Sequence, residues 1–502
     1  MVAQAHAATL NGIDALPIVV EVDLRGGMPK FFLVGLPDKA VQESQERVAS
    51  AIRNSGLTFP NGLLVCNLAP GDVRKEGPGF DLPIAISILA VSGQVASLSL
   101  NETLIVGELG LDGNIRRIDG AVNIAIMAHQ QGFKRLILPE SNAAEAAIIP
   151  ELEVYGLRSL LEVVELLNGS ILYQPHKLQL QPNGQDADWP IDFNDVKGQA
   201  QAIRALEVAA AGGHNVLMTG PPGSGKTMLA RRLPTILPSL NLEEAIEVTR
   251  IYSSSGELPD KSGLVWKRPF RSPHHTTSYA AIVGGGKTPK PGEISLAHHG
   301  VLFLDEMPEF SRDVLEALRQ PLEDNVVTVA RVQSTLTFPA AAMLIGAMNP
   351  CPCGFKGYPE ANCIGAAQCL KYGAKISGPL LDRIDLHVNV PRLKPEELTA
   401  VPSGTPSSQI RERVLLARNR QSERLGQGKT NAKMSPRELK ELIQMDDECK
   451  AFMQSAAHKL SLSARVFDRL LKVAQTIADL DNQAQITRPH LAEAVQYRST
   501  TD

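Results

Sequence analysis

The chain has no surplus of positive charge, no apolar run of membrane length and no leader pattern. It also has too few cysteines for a disulfide scaffold. Its 502 residues carry 50 Lys and Arg against 54 Asp and Glu, a formal net charge of −4. No global basicity advertises nucleic acid, so any such site must be a local patch or be built by assembly. The apolar run 82–91 is too short to span a bilayer. No basic stretch followed by an apolar segment and a cleavage site opens the chain, so the cytoplasm is expected, with no membrane partner. Six cysteines there argue against structural disulfides. No repeats or low-complexity tracts are visible. Hydrophobic residues at 43% and charged residues at 21% are those of ordinary soluble protein. The length suggests about two to four domains.

What is present is organised around residues 216–227. The apolar run Val216-Leu217-Met218 leads into Gly220, Pro221, Pro222, Gly223, Ser224, Gly225, Lys226 and Thr227. A helical stretch follows. Strand, glycine loop and helix are the context a phosphate-binding loop needs. The glycines let the backbone curl and point N–H groups at phosphate oxygens. The helix aims its positive end at the same place. Lys226 is placed to reach the β and γ phosphates of ATP, and Thr227 to offer its hydroxyl to Mg²⁺.

Before this loop, residues 1–168 read as one α/β domain. Strands are expected at 18–23, 31–34, 63–68, 103–106 and 134–138, and helices at 38–54, 81–92 and 121–131. Residues 169–190 are polar, carry Pro and Gly, and read as a linker. A nucleotide domain is expected over 191–395 and a mostly helical region over 396–502. In that last region Ser435-Pro436-Arg437-Glu438 has the capping-box pattern. Val466, Leu470, Val473 and Ile477 recur at helical steps.

Beyond the loop, Val301–Leu304 is an apolar strand ending in Asp305 and Glu306. Asp305 should hold Mg²⁺, directly or through water, and Glu306 should polarise the attacking water. A further strand ends at Asn349, whose amide can orient that water. In ring ATPases an arginine at the position of Arg383 reaches the neighbouring subunit's γ phosphate. Arg465, opening a helix, could read nucleotide state and move a lid. Cys351, Cys353, Cys363 and Cys369 suit a tetrahedral structural Zn²⁺ site, although their spacing is not that of a standard finger. Cys66 and Cys449 read as lone buried thiols. His274 and His275 read as hydrogen-bonding loop residues in preference to metal ligands.

The P-loop, Asp305-Glu306, Asn349, Arg383 and Arg465, followed by a helical lid, resemble an AAA+ ATPase. The segments Phe270-Arg271-Ser272-Pro273-His274-His275-Thr276-Thr277-Ser278, Val283-Gly284-Gly285-Gly286 and Pro291-Gly292-Glu293 resemble the magnesium-chelatase-like clade. Arg74-Lys75-Glu76-Gly77-Pro78-Gly79-Phe80-Asp81 and Gly107-Glu108-Leu109-Gly110 resemble the proteolytic domain of Lon-type proteases. In those enzymes a nucleophilic serine stands where this chain has Gly79, and the catalytic lysine falls at or near Val122. Without hydroxyl and amine there is no nucleophile to activate, so a Lon-like domain without protease activity is expected. The whole pattern resembles the YifB/ComM family of competence-associated ATPases. The expected fold is an α/β P-loop AAA+ core with a helical lid, preceded by a Lon-protease-like α+β domain.

That resemblance implies a homo-hexameric ring helicase driving DNA branch migration in natural transformation, using ATP and Mg²⁺. Residues 326–338 alternate as two strands, and in related helicases such a hairpin carries a basic residue into the pore, here Arg331. Lys287 and Lys290 offer a basic loop. Copies of both would line a channel with positive charge and grip phosphates without reading sequence. The arginine-rich helix around 410–424 could face DNA, but a solvated face is the plainer reading. A chelatase-type motor remodelling a protein partner and an ATP-dependent protease or unfoldase are the alternatives.

Overall fold

The structure is a computed structural model that describes residues 2–177, 189–258, 263–286, 289–330, 335–354, 366–393, 396 and 404–498. It divides into two compact units. The first is residues 1–183 with 242–265 and 289–291; the second is 184–241, 266–288 and 292–502. The segment 242–265 lies within the expected nucleotide domain along the chain, yet it packs with the first unit. Its helix Leu242–Ser255 is held there by polar contacts that no periodicity announces. Asn123 Nδ2 donates to Arg250 O at 3.0 Å, and Ser253 Oγ donates to Glu145 Oε2 at 2.7 Å.

A seven-stranded sheet organises the first unit, in the spatial order Lys30–Val34, Leu63–Ala69, Asp14–Arg25, Val2–Asn11, Thr103–Ile105, Arg135–Pro139, Glu153–Leu157. The central strand Val2–Asn11 was not legible in the sequence. Its inward positions Ala3, Ala5 and Ala7 are buried, but alanine has poor strand propensity and little apolar contrast. The helix Asp81–Val91 is buried at every position, apolar on all sides except for Asp81 and Ser87. The expected helix over 38–54 is two helices, Lys39–Gln42 and Ser44–Asn54, meeting at Glu43. Residues 169–177 of the expected linker are docked. Tyr173 packs on the core, and its hydroxyl donates to Glu165 at 3.0 Å.

The motif that carried the Lon resemblance has a structural function here. Asp81 is fully buried at the start of its helix. It accepts from the Ser44 hydroxyl, from Arg47 at 2.7 and 3.0 Å, and from the Leu109 N–H at 3.2 Å. Gly79 offers no side chain, and Val122 is fully buried on the helix Ala121–Gln130. Lys75 is also buried, its ammonium donating to the Pro70 carbonyl.

The second unit is built on five parallel strands in the order Phe270–Arg271, Val301–Leu304, Met343–Met348, Val216–Thr219, Leu386–Asn389. Its buried face is continuous with the C-terminal helices: Val216, Met218, Phe303, Ile345 and Leu386 share one apolar cluster with Val414, Leu470, Val473 and Ile477. The period-3.6 face read in the sequence is thus the face of the helix Ala464–Leu480 that packs on the sheet unit. Ser435 and Glu438 form the expected capping box. The hairpin is an antiparallel pair, Val326–Ala330 with Thr335–Pro339. The fold is mixed α/β with a parallel-sheet core and a helical C-terminal part, and no described helix is long and apolar enough to cross a membrane.

Truncating a buried carboxylate strands its cationic partner. Asp81→Ala should therefore destabilise the first unit by roughly 3–5 kcal/mol. Amide hydrogen exchange in the helix Asp81–Val91 reads this directly, and unchanged protection there would show that the carboxylate is not the anchor.

Candidate nucleotide site

The second unit's sheet explains how residues far apart in sequence meet. Parallel strands bring all their C-terminal ends to one edge, where α/β folds bind ligands. Three neighbouring strands end in Asp305, in Asn349 and in the glycine loop. Thr227 Oγ1 donates to Asp305 Oδ2 at 2.6 Å, and Lys226 Nζ donates to Asn349 Oδ1 at 3.3 Å. Asp305 Oδ1 also accepts from the Glu306 N–H at 3.0 Å.

The glycine loop has the shape the sequence implies. A Cβ at Gly220 would lie 2.2 Å from the Val390 carbonyl oxygen, so only glycine fits. Gly225 has φ +93°, the left-handed region, immediately before the helix Lys226–Ile236. Lys226 is 8% exposed, and its Nζ donates to the Gly220 and Pro221 carbonyls at 2.7 and 2.9 Å. Burial pushes its ammonium below the ordinary value, and Asp305 and Glu306 oppose that. Ser224 Oγ is buried with no hydrogen-bond partner among the described residues. A buried ammonium resting on carbonyls and an orphaned hydroxyl in a cradle that excludes Cβ fit a polyphosphate. The Thr227 hydroxyl and the Asp305 carboxylate are hard oxygen donors of the kind Mg²⁺ takes.

Two features were missed in the sequence. His275 Nδ1 lies 3.6 Å from Glu306 Oε2, its ring tilted 34° against His274 at 4.1 Å between centroids. The strand Phe270–Arg271 beside Val301–Leu304 brings that loop to the site, and strands of two residues carry no readable period. The cysteine segment also reaches the loop: a Cβ on Gly354 would meet Pro222 Cδ at 2.4 Å. Cys351 and Cys353 bring their sulfurs to 3.0 Å, Cys369 is buried, and Cys363 lies outside the described residues. Cys66 and Cys449 are buried, and burial pushes their thiols up to about 12 and about 11.

Arg383 and Arg465 are elsewhere. Arg383 precedes the strand Leu386–Asn389, whose first residue pairs with Val216, the first residue of the loop's own strand. It therefore stands at the N-terminal edge of the sheet, with the glycine loop at the other. Four residues of strand separate those edges by about 13 Å. Arg383 is 5% exposed and pairs with Glu323 Oε1 at 2.8 Å, and Arg465 pairs with the same oxygen at 2.5 Å.

Of the residues assigned to DNA, Arg331 and Lys287 lie outside the described residues. Lys290 is held by Asp119 and by the Ser255 carbonyl, each at 3.1 Å. The arginine-rich helix, Ser407–Leu425, buries Ile410, Val414, Ala417 and Gln421 and exposes the face that carries Glu412, Arg413 and Glu423, with several of its arginines held by partners. Arg413 pairs with Glu207 at 2.5 Å, Arg424 pairs with Asp479 at 2.7 Å, and Arg418 donates to the Ala210 carbonyl at 2.7 Å.

Residues 192–398 match the family described as magnesium chelatase, subunit ChlI; residues 404–498 match its C-terminal part, and residues 20–142 match subunit ChlI of Mg-chelatase. Competence protein ComM of Haemophilus influenzae is 44% identical over 502 residues, covering 97% of this chain and 96% of that protein. The uncharacterised protein YifB of Escherichia coli is 44% identical, over 98% of this chain and 96% of its own length. Lon protease 1 of Thermus thermophilus is 28% identical over 175 residues, 32% of this chain and 21% of that protein. The chain belongs to the YifB/ComM family of magnesium-chelatase-like AAA+ ATPases.

Proposed function

We propose that this ATPase works as a homo-hexameric motor on DNA, a helicase that promotes branch migration during recombination in natural transformation. The observation that carries the reading is the split of the site. Lys226, Thr227, Asp305, Glu306 and Asn349 gather at one edge of the sheet, while Arg383 and Arg465 stand together at the other. Arginines there cannot serve the ATP of their own chain, so a complete site takes two chains, and repetition of such a head-to-tail contact gives a ring where its rotation closes. The similarity to a competence protein directs the motor toward DNA.

Within one chain, the loop N–H groups and Lys226 bind and orient the phosphates. Thr227 and Asp305 would hold Mg²⁺, which when bound neutralises charge on the β and γ phosphates. Glu306 takes up the proton of the attacking water, and His275 stands beside it. Asn349, bonded to Lys226, links phosphate position to water position. Arg383 from the neighbouring chain stabilises the charge on the transferring phosphoryl group, a contribution of about 10³–10⁵ in related systems. Arg465 joins it there. Arg331, Lys287 and Lys290 contribute positive charge toward DNA; for Lys290 this requires leaving Asp119. The close approach of Cys351 and Cys353 supports a structural Zn²⁺ site with Cys363 and Cys369, located against the P-loop at Pro222. A chelatase-type motor acting on a protein partner is the second reading, favoured by the family match over 192–398.

Lys226→Ala should abolish nucleotide binding, whereas Glu306→Gln should bind ATP with near-normal affinity and lose hydrolysis. Fluorescent-nucleotide titration beside phosphate release separates them, and hydrolysis by the Gln variant at the unmodified rate would remove Glu306 from its role. Forked or four-way DNA should stimulate ATP hydrolysis, with binding that weakens by about 0.7–0.9 log units per tenfold salt for each phosphate neutralised. No DNA binding at low salt would leave the protein-remodelling reading. Elemental analysis of purified protein should find about one zinc per chain; a trace amount would remove the metal site.

A further inference from the structure

Glu323 has no part in the nucleotide chemistry described above, and no sequence motif marks it. It sits in the short helix Pro321–Asp324, directly before the hairpin strand Val326–Ala330. One of its oxygens, Oε1, receives Arg383 at 2.8 Å and Arg465 at 2.5 Å. These arginines come from different parts of the second unit: Arg383 from the sheet side, Arg465 from the first turn of the helix Ala464–Leu480. Two guanidiniums this close repel unless an anion stands between them. Burial pushes the Glu323 carboxyl up, but Arg383, Arg465 and Arg469 outweigh it and hold it below its ordinary value.

The surroundings tighten the same pairing. Arg383 donates from NH1 to the Pro379 carbonyl at 2.6 Å, and its Nε has no hydrogen-bond partner among the described residues. One turn beyond Arg465, Arg469 donates to the Arg383 carbonyl at 2.9 Å and to Asp385. Asp385 in turn accepts from buried His214 at 3.1 Å, and the other ring nitrogen of His214 lies 2.8 Å from Thr476 Oγ1, on the same C-terminal helix. The backbone of Arg383 is thus clamped from behind by the helix that carries Arg465. The two guanidiniums are joined in front by Glu323.

We propose that Glu323 is a positioning residue that yokes Arg383 and Arg465 into a single paired receptor for the γ phosphate of the neighbouring chain. The inference rests on the reading of both arginines as phosphate-facing. An arginine side chain loses much rotamer freedom when it is held in place. Holding two of them at fixed spacing before the phosphate arrives removes that ordering from the hydrolytic step. Gln320 Nε2, just before the Glu323 helix, donates to Thr328 Oγ1 of the hairpin at 3.3 Å. The hairpin and the carboxylate are thus joined by the chain and by this bond.

The test is steady-state ATP hydrolysis by the full chain for E323Q, E323D, R383A, R465A, and the double variants E323Q/R383A and E323Q/R465A. E323Q should lower kcat by about tenfold or more while KM for ATP stays within about threefold, because the binding loop is untouched. E323D, which keeps the charge, should retain more activity than E323Q, which keeps the volume. Each double variant should be no slower than the corresponding arginine variant alone, since the yoke then has nothing to hold. Wild-type kcat in E323Q, the reverse order of Gln and Asp, or losses that multiply in the doubles would each overturn the proposal. Fluorescent-nucleotide affinity for E323Q confirms a folded site, and loss of that affinity would mean a merely structural carboxylate. If R383A itself keeps full kcat, the phosphate-facing reading falls and takes the yoke with it. A slow R383A beside an unimpaired E323Q removes Glu323 alone.

Discussion

Thr227 and Asp305 are 78 residues apart in sequence and share a hydrogen bond of 2.6 Å. That contact depends on one constraint, the parallel direction of every strand in the second unit. A parallel sheet brings all strand exits to one edge, so a hydroxyl, a carboxylate and an amide from three separate exits converge without any local signal. The buried Lys226 depends on the same geometry. Its ammonium is withdrawn from water and rests on carbonyls and on Asn349, ready to exchange them for phosphate oxygens.

The same constraint separates the arginines from the loop. A residue entering a parallel strand and one leaving it face opposite edges, and no side chain spans the strand between them. Arg383 enters where the loop leaves. Under the proposed reading, the loop and the arginines would meet only across a contact between chains. This suits a motor, because hydrolysis then reports on the neighbour's position. The shared apolar core between sheet and C-terminal helices makes the second unit respond as one body, and the His214–Asp385–Arg469 chain gives that body a polar spine.

In the first unit a buried carboxylate plays the organising part. The glycine-proline turn and the following aspartate survive as architecture: Asp81 gathers Ser44, Arg47 and the Leu109 amide in a buried node. Gly79 is backbone only, and Val122 is an apolar core residue. Selection for folding alone is enough to retain such a node, because an unpaired buried arginine is costly.

Much was readable in residues 216–227, 301–306 and 464–480 because local rules act there. Glycine spacing, an apolar run ending in two acids and a 3.6-residue period each have a backbone or burial cause. The capping box at Ser435 and the hairpin over 326–338 were legible for the same reason. What escaped had no local cause. The alanine-rich strand Val2–Asn11 lacks contrast, the helix Leu242–Ser255 joins the first unit through scattered polar contacts, and His275 reaches Glu306 from a strand of two residues. The sequence by itself determined which chemistry the loop could do, since the residue types that meet phosphate and Mg²⁺ are contiguous or end recognisable strands. Tertiary structure alone decided which groups share a site. Strand order and direction set Asp305 and Asn349 beside Lys226, and sent Arg383 and Arg465 to a common carboxylate at the opposite edge.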